Sequence, residues 1–327
     1  MTHSVWIVDE LDGKHRKAPG DRLTLCPGEV RVSIAASGVN PLDTKIRAGK
    51  AEHARQSLPA VLGIDMAGVI DEVAPDVTMF QVGDEVYGMV GGVGGLQGTL
   101  AESMTCDSRL IARKPVNLSM RQAAALPLSV ITSWEALVDR AKVTAGQKVL
   151  IHAGAGGVGH IAIELARSFG AEVFATVSPG KVRIVASLGA TPIDYHALTV
   201  EEYVEKFTQG KGFDIIFDTV GGKTLDQSFT SVKRYTGHVV SALGWGSHSL
   251  APLSFRGATY SGVFTLLPLL TGDGREHHGE ILRQATALAE AGKLTPMLNA
   301  RRYSTTDIEA AYADVVAGSV GKTVIEF

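Results

Sequence analysis

The sequence contains little cysteine and no long hydrophobic run. Cys26 and Cys106 are the only thiols among 327 residues. Two thiols exclude a disulfide framework and leave too few ligands for a cysteine-based structural zinc site. The most apolar late stretch, GVFTLLPLLTG, is too short to span a bilayer and contains Pro268. The first residues also lack the basic-then-apolar layout of a signal peptide, so the sequence predicts reduced thiols and a cytoplasmic location.

An excess of positive charge is also absent. Lysine and arginine number 31 against 34 acidic residues, which gives a net charge of -3. This balance provides no general attraction for nucleic acid or an anionic membrane, so neither is an expected partner. The composition, 45% hydrophobic and 20% charged, is typical of a globular protein, and the chain is long enough for two domains.

The chain has two patterns of predicted secondary structure. The first third alternates apolar and polar residues in short segments, such as GEVRVSIAASGVN, which is typical of half-buried strands. From about Gln147 onward, short apolar strands alternate with amphipathic helices. This order predicts a doubly wound parallel sheet. The final KTVIEF is predicted to be a strand that pairs with the β-rich first third, which would make that domain discontinuous.

A glycine-rich stretch follows the first strand of the second pattern. In HAGAGGVGH, Gly154, Gly156 and Gly159 fit G-x-G-x-x-G between a strand and a helix, the context that supports dinucleotide binding. The first glycine is expected to allow the turn, the second the approach of a pyrophosphate, and the third close packing of helix on strand. Gly157 and Val158 complete the predicted phosphate cradle at the helix N-terminus.

The end of the second strand predicts which dinucleotide binds. An NAD site places an acidic residue there to bind the ribose hydroxyls. The strand EVFATV instead ends at Val177 and is followed by Ser178 and Lys181. A hydroxyl and a cation favour a 2'-phosphate, so we expect NADPH, although Lys181 and Arg183 can also be solvated residues at a helix start.

Several motifs together resemble the medium-chain dehydrogenase/reductase superfamily. They are GVNPLDTKIRAG, LGIDMAGVI, VGDEVYG and AAALPLSVITSWEAL, in an order that fits the whole chain. The resemblance implies an α/β fold with a Rossmann domain over 125–267. It also implies a GroES-like β-barrel domain made of 1–124 and 268–327.

Zinc-dependent members of that superfamily carry cysteine where this chain has Asn40 and histidine where it has Ile64. Neither an amide nor an alkyl chain replaces those ligands, so no metal is expected. The chain therefore resembles the zinc-independent quinone oxidoreductase branch. That resemblance implies NADPH-dependent reduction of quinones or activated alkenes, and pairing through sheet edges into a homodimer.

The same resemblance implies roles for individual residues. Asn40 would lie near the nicotinamide and the substrate carbonyl, with Asp43 beside it in the motif and Thr132 lining the same site. The implied cofactor contacts beyond the glycine loop are Ser178, Lys181, Tyr195, Thr219, Val220, Gly221, Leu243 and Gly244.

Other interpretations remain open at this point. Asn40, Pro41, Asp43 and Gly49 also form a good helix start and stop, so capping alone explains them, and Thr132 can be a helix-start residue. Reduction of enones or enoyl groups is an alternative activity, although the tyrosine expected of enoyl-thioester reductases is missing after Gly49. An NADPH-binding protein with a structural, sensing or RNA-contacting role is a third possibility. No side chain stands out as a proton donor.

Overall fold

The structure is a computed structural model that describes residues 3–22 and 24–327, and it divides into two units. The first unit comprises Met1–Leu128, Leu266–Gly292 and Pro296–Phe327, and the second comprises Ser129–Thr265 and Lys293–Thr295. The predicted discontinuous domain ended at 124 and resumed at 268. The short return to the second unit at Lys293–Thr295 was not predicted. Within the described residues, no helix has both the length and the apolar character needed to cross a membrane.

The first unit begins with a β-rich segment. Its strands are β1 (His3–Val8), β2 (Arg16–Gly20), β3 (Glu29–Val39), β4 (Ala60–Val61), β5 (Asp65–Val73), β6 (Glu85–Met89), β7 (Ser103–Asp107) and β8 (Ile111–Arg113). Its helices here are α1 (Pro41–Arg47) and α2 (Met120–Ala123). Helix α3 (Pro127–Trp134) begins at the end of this segment, but most of it, and the π-helical turn at Glu135–Arg140 that follows, belong to the second unit. Strand β3 is central, because it pairs antiparallel with both β5 and β7.

The second unit is the predicted doubly wound sheet. Its parallel strands are β9 (Lys148–Ile151), β10 (Glu172–Val177), β11 (Thr191–Asp194), β12 (Ile215–Asp218), β13 (His238–Ser241) and β14 (Thr259–Gly262). They alternate with α4 (Gly157–Ser168), α5 (Val182–Ser187), α6 (Val200–Thr208), α7 (Lys223–Ser231) and α8 (Ala251–Ser254). The strand order is β11-β10-β9-β12-β13-β14, which is the order of a dinucleotide-binding sheet.

The core of the second unit explains the apolar strands of the sequence. Val149, Leu150 and Ile151 of β9 are fully buried, as are Ile216 and Phe217 of β12. Such continuous burial is expected of parallel strands that are covered by helices on both faces. The order reverses between β9 and β12, and ligands of such sheets bind beyond the carboxyl ends of the strands at this point.

The last part of the chain completes the first unit. It contains α9 (Leu267–Thr271), α10 (Arg275–Glu290), β15 (Tyr303–Ser304), α11 (Ile308–Val316) and β16 (Thr323–Glu326). The predicted terminal strand is present as β16, and it pairs antiparallel with β3, with Thr323 opposite Val39. Strand β3 therefore has β16 and β5 as neighbours at its carboxyl end. This arrangement determines which residues surround Asn40.

Candidate functional site

The glycine loop joins β9 to α4, and its glycines are required by packing. A Cβ at Gly154 would lie 2.5 Å from the Cβ of Ala175 in β10. At Gly159 it would lie 2.2 Å from the carbonyl oxygen of Ala153. The residue with a left-handed backbone is Ala153, with φ of 55°, so the sharp turn expected of Gly154 is made one residue earlier and by an alanine.

Gly156 and Gly157 form the open side of this loop. A Cβ at Gly157 would approach only Ser129 Oγ, at 3.9 Å, and at Gly156 only Ala153 O, at 3.1 Å. Gly156 is the N-cap of α4, so the first backbone N–H groups of the helix lack partners within it and face this open side. The helix N-terminus also carries partial positive charge. The loop thus fits the pyrophosphate of a dinucleotide.

The other predicted cofactor residues all follow the carboxyl ends of the parallel strands. Because the strands are parallel, these ends share one edge of the sheet. The residues after β10 to β13 are, in order, Ser178 and Lys181, then Tyr195, then Thr219, Val220 and Gly221, and finally Leu243 and Gly244. The structure brings these loops to the edge where the glycine loop lies.

Ser178 and Tyr195 are neighbours at this edge. Strand β10 ends at Val177, as predicted, and Val177 is paired with Asp194 at the end of β11. Each candidate therefore lies one residue beyond a paired position. Lys181 closes a 3-10 turn that begins directly after Ser178. The carboxylate of Asp194 interacts with the loop that follows β11, where its Oδ1 accepts a hydrogen bond from His196 N at 2.9 Å.

A buried aspartate that was not predicted shapes the loop after β12. Asp218 Oδ1 accepts from the backbone N–H groups of Val220 and Gly221, both at 3.0 Å. Its Oδ2 accepts from Ser241 Oγ at 2.7 Å, which links the loop to β13. Thr219 Oγ1 donates to the carbonyl of His152 at 2.7 Å, so this hydroxyl holds the two central loops together. The signal in the sequence was an acidic residue at the end of an apolar strand.

Asn40, in the first unit, lies at the centre of a buried polar cluster. Its Nδ2 donates to Asp65 Oδ2 at 3.0 Å, and its Oδ1 accepts from Lys322 Nζ. Lys322 Nζ also donates to Asp65 Oδ2 at 3.2 Å. The second carboxylate oxygen of Asp65 accepts from Leu128 N at 2.9 Å. Neither Asp65 nor Lys322 was predictable as a site residue from the sequence, although both lie in motifs that indicate this domain.

This cluster is buried, which affects its charges. Asn40, Asp65 and Lys322 are each at most 5% exposed. Burial raises the pKa of Asp65, while the Lys322 ammonium and the Asn40 amide oppose that rise. If either member of a buried ammonium–carboxylate pair is removed, the other charge is left uncompensated and the folded state is destabilised.

Asp43 caps the first turn of helix α1, while the Asn40 side chain makes its hydrogen bonds outside the helix. Asp43 Oδ2 accepts from the backbone N–H of Asn40 at 2.7 Å, and Pro41 is the first helical residue. The Asn40 side chain is hydrogen-bonded to Asp65 and Lys322, outside the helix, so capping alone does not explain an asparagine at this position. Asp43 Oδ1 is buried and makes no hydrogen bond within the described residues. Burial raises the pKa of Asp43 to about 7.

Thr132 belongs to the second unit and is not a helix-start residue. It is the sixth of the eight residues of α3, so that interpretation was wrong. Thr132 Oγ1 shares a hydrogen bond of 3.0 Å with Thr265 Oγ1, and Thr265 Oγ1 donates to Glu135 Oε2 at 3.2 Å. The Thr132 hydroxyl is therefore part of a buried chain of hydrogen-bonded side chains near the end of α3.

The described residues contain no group of three or more histidine, cysteine or acidic side chains suited to hold a metal ion. Ile64, which the sequence resemblance places where zinc-dependent members of the superfamily carry histidine, is fully buried. The oxygens of Asn40 and Asp65 both accept hydrogen bonds from Lys322.

Two family models match the chain. Residues 26–116 match the alcohol dehydrogenase GroES-like domain, and residues 157–272 match the family described as zinc-binding dehydrogenase. A crystal structure of an alcohol dehydrogenase superfamily protein from Novosphingobium aromaticivorans is 52% identical, covers 99% of both chains and has a TM-score of 0.97. The chain belongs to the medium-chain dehydrogenase/reductase superfamily. Members of that superfamily bind nicotinamide cofactors.

Relatives within the superfamily differ in their acceptors. The 2-methylene-furan-3-one reductase of Solanum lycopersicum is 34% identical over 306 residues, which are 91% of this chain and 71% of the relative. The quinone oxidoreductase of Coxiella burnetii is 27% identical, with a TM-score of 0.84 and complete coverage of both chains. Other relatives are polyketide synthases, and the chain spans only 13% of the length of one from Streptomyces orinoci, at 35% identity over 92% of this chain.

The glycine loop predicts opposite effects of two alanine substitutions. Gly159→Ala places a methyl group against the Ala153 carbonyl and should lower the free energy of unfolding by about 1–3 kcal/mol. Gly157→Ala fits the protein and should keep or raise that free energy by up to about 1 kcal/mol. The added methyl nevertheless faces the phosphate cradle, so affinity for a nicotinamide dinucleotide should fall at least about 10-fold. Urea unfolding and a fluorescence titration measure the two quantities. Full dinucleotide affinity in Gly157→Ala would contradict the proposed cradle.

The buried carboxyl of Asp43 predicts a pH dependence of stability. Its pKa is about 7 in the folded state and near 3.8 in the unfolded state, so between these values only the folded chain holds the proton. Stability should therefore fall as pH rises from about 4 to about 7, by at most about 1.4 kcal/mol per unit. Asp43→Asn should remove this fall.

The measurement is the difference between the unfolding free energies of Asp43→Asn and the wild type at each pH. That difference should rise in favour of the variant up to about pH 7, the pKa of the buried carboxyl. Asp21→Asn, at an exposed position, is the control and should give a flat difference. A flat difference for Asp43→Asn would show that the carboxyl is not held neutral by burial.

Proposed function

We propose that the chain is an NADPH-dependent reductase of quinones and other conjugated carbonyl compounds, and that it works without a metal ion. The observation that supports this proposal most is the buried Asn40 amide with its two charged partners. The cofactor, when bound, supplies a hydride.

Asn40 is suited to bind the oxygen of an acceptor. A side-chain amide has two donor hydrogens, and the Asn40 amide uses one of them on Asp65. The second has no acceptor within residues 3–22 and 24–327. When hydride adds to a conjugated carbonyl compound, negative charge develops on the carbonyl oxygen. A preoriented donor in a site of low dielectric stabilises that charge more than water does.

The positive charge at this site is supplied by a side chain, the ammonium of Lys322. A zinc ion would need deprotonated, electron-donating ligands, but Ile64 offers none. The oxygens of Asn40 and Asp65 are already engaged by the ammonium of Lys322. Because quinones and enones are already polarised by conjugation, positioning and one hydrogen bond to the oxyanion suffice for hydride addition.

The names of the relatives support the class of acceptor. A 2-methylene-furan-3-one carries a C=C bond conjugated to a ketone, and a quinone carries the same unit twice within a ring. Both acceptors place the developing charge on an oxygen that can be reached by one hydrogen-bond donor. We therefore assign the class by this shared unit, and the assay below distinguishes its members.

The cofactor preference follows from the edge of the sheet. Ser178 and Lys181 follow β10, where an NAD site requires a carboxylate for the ribose hydroxyls. A lysine ammonium and a hydroxyl favour a 2'-phosphate, and Tyr195 offers an exposed ring and hydroxyl on the neighbouring strand end. These residues support NADPH.

The first assay measures oxidation of NADPH and NADH by chelator-treated protein with a panel of ortho-quinones, para-quinones and conjugated ketones. We expect turnover with NADPH that the chelator does not change. Turnover of enones alone would remove the quinone assignment, and activity lost to the chelator and restored by zinc would contradict the metal-free proposal. Tight NADPH binding without turnover of any acceptor would favour a non-catalytic NADPH-binding role.

A substitution tests the cofactor preference separately. Lys181→Ala should raise the KM for NADPH about 10-fold, the loss of one charge-assisted hydrogen bond, and leave the KM for NADH unchanged. Arg183→Ala removes a cation two residues further on, at an exposed position, and is the matched control with both KM values unchanged. Equal effects of Lys181→Ala on the two cofactors would contradict the 2'-phosphate assignment.

A further inference from the structure

We propose that Lys322 and Asp65 are positioning residues that fix the Asn40 amide in the one orientation in which it can donate to the acceptor's oxygen. This inference rests on the proposed function, because it gives Asn40 a hydrogen-bonding role in the reaction. Neither positioning residue needs to touch the acceptor.

The amide orientation is set from both of its ends. Lys322 donates to Asn40 Oδ1, and Asp65 Oδ2 accepts from Asn40 Nδ2 at 3.0 Å. A rotated amide would place its NH₂ group against the ammonium and its carbonyl against the carboxylate. Two favourable contacts would become two repulsive ones in a site where water cannot screen them. The charged pair therefore allows one orientation, with the second Nδ2 hydrogen left over.

The same contacts strengthen that remaining donor. A cation at the amide oxygen draws electron density from the nitrogen, and hydrogen bonds that share a group polarise one another. Leu128 N holds the other oxygen of Asp65 at 2.9 Å, so the carboxylate cannot turn away from Asn40. The amide is thus both oriented and polarised before an acceptor binds.

Sheet register brings the three residues together. Asn40 directly follows β3, whose last residues pair with β5 on one side and β16 on the other. Asp65 is opposite Gly38, and Lys322 precedes Thr323, which is opposite Val39. The carboxylate and the ammonium therefore reach the asparagine from opposite neighbours of its own strand.

A double-mutant cycle tests whether Lys322 acts through Asn40. Asn40→Ala should lower kcat about 100-fold, as loss of one oxyanion donor does. Lys322→Met should lower kcat at least about 10-fold with little change in the KM for NADPH, and should add less than about 3-fold in the Asn40→Ala background. Lys322→Arg, which keeps the cation, should recover part of the loss.

The chain offers a matched control for loss of a buried ammonium. Lys114 is buried in the same unit, donates to Pro115 O at 3.0 Å and lies 3.1 Å from Glu85. Lys114→Met should lower thermal stability as Lys322→Met does, but leave kcat and the effect of Asn40→Ala unchanged. An equal fall in kcat for the two methionine variants would overturn the inference, as would a full multiplicative effect of Lys322→Met on Asn40→Ala.

A second measurement does not depend on activity. The sequence has only three asparagines, at 40, 117 and 299, so ¹⁵N-asparagine labelling gives three side-chain NH₂ signals. Asn40→Ala assigns one of them. In the wild type, the Asn40 NH₂ protons should exchange with water at least about 100-fold more slowly than those of Asn117, which is exposed. Lys322→Met should shift the Asn40 signal, and Lys114→Met should not.

The outcomes separate this inference from the proposed function. Exchange at Asn40 as fast as at Asn117 in the wild type would overturn the fixed orientation, even if Lys322→Met does not fold. A wild type that reduces no acceptor of the panel would overturn the proposed function, and the exchange experiment would then report on the amide alone. Turnover in the wild type with unchanged kcat in Lys322→Met overturns only the positioning role.

Discussion

The contact between the Lys322 ammonium and the Asp65 carboxylate is the interaction on which the first unit's polar centre depends. Both groups are buried, so each is tolerable only because the other is present, and removal of one partner of such a pair typically costs about 3–5 kcal/mol. Asn40 lies within hydrogen-bonding distance of both. The position of a neutral amide is therefore determined by two charges that come from other strands.

In the second unit, the candidate cofactor residues are brought together mainly by the geometry of the parallel sheet. Six parallel strands deliver their carboxyl ends to one edge, and the loops that follow them are held by side chains such as Asp218 and Thr219. His152, between these loops, is bonded through both ring nitrogens to Thr176 and Ser228, and burial lowers its pKa to about 4. It is thus a neutral structural residue, and the positive end of α4 is the local feature that favours a phosphate.

Local pattern predicted much of this structure from the sequence. The end of β10 at Val177, the helix that follows the glycines and the final strand are all set by burial and by residues close in sequence. The partners of Asn40 were not predictable in this way. Asp65 and Lys322 become its neighbours through strand register over 25 and 282 residues. Likewise, Ala153 adopts the left-handed conformation through its place in the loop, while the pattern of glycines pointed to its neighbour.

The distance along the chain between Asn40 and Lys322 has a consequence for synthesis on the ribosome. The second unit is nearly continuous, so most of its core can form soon after residue 265 has emerged. The polar centre of the first unit must wait for a lysine made 282 residues after Asn40. At roughly 5–20 residues per second this interval lasts tens of seconds, during which Asp65 has no cation to balance its charge. Synthesis of the first unit thus starts before that of the second, but its polar centre is completed last.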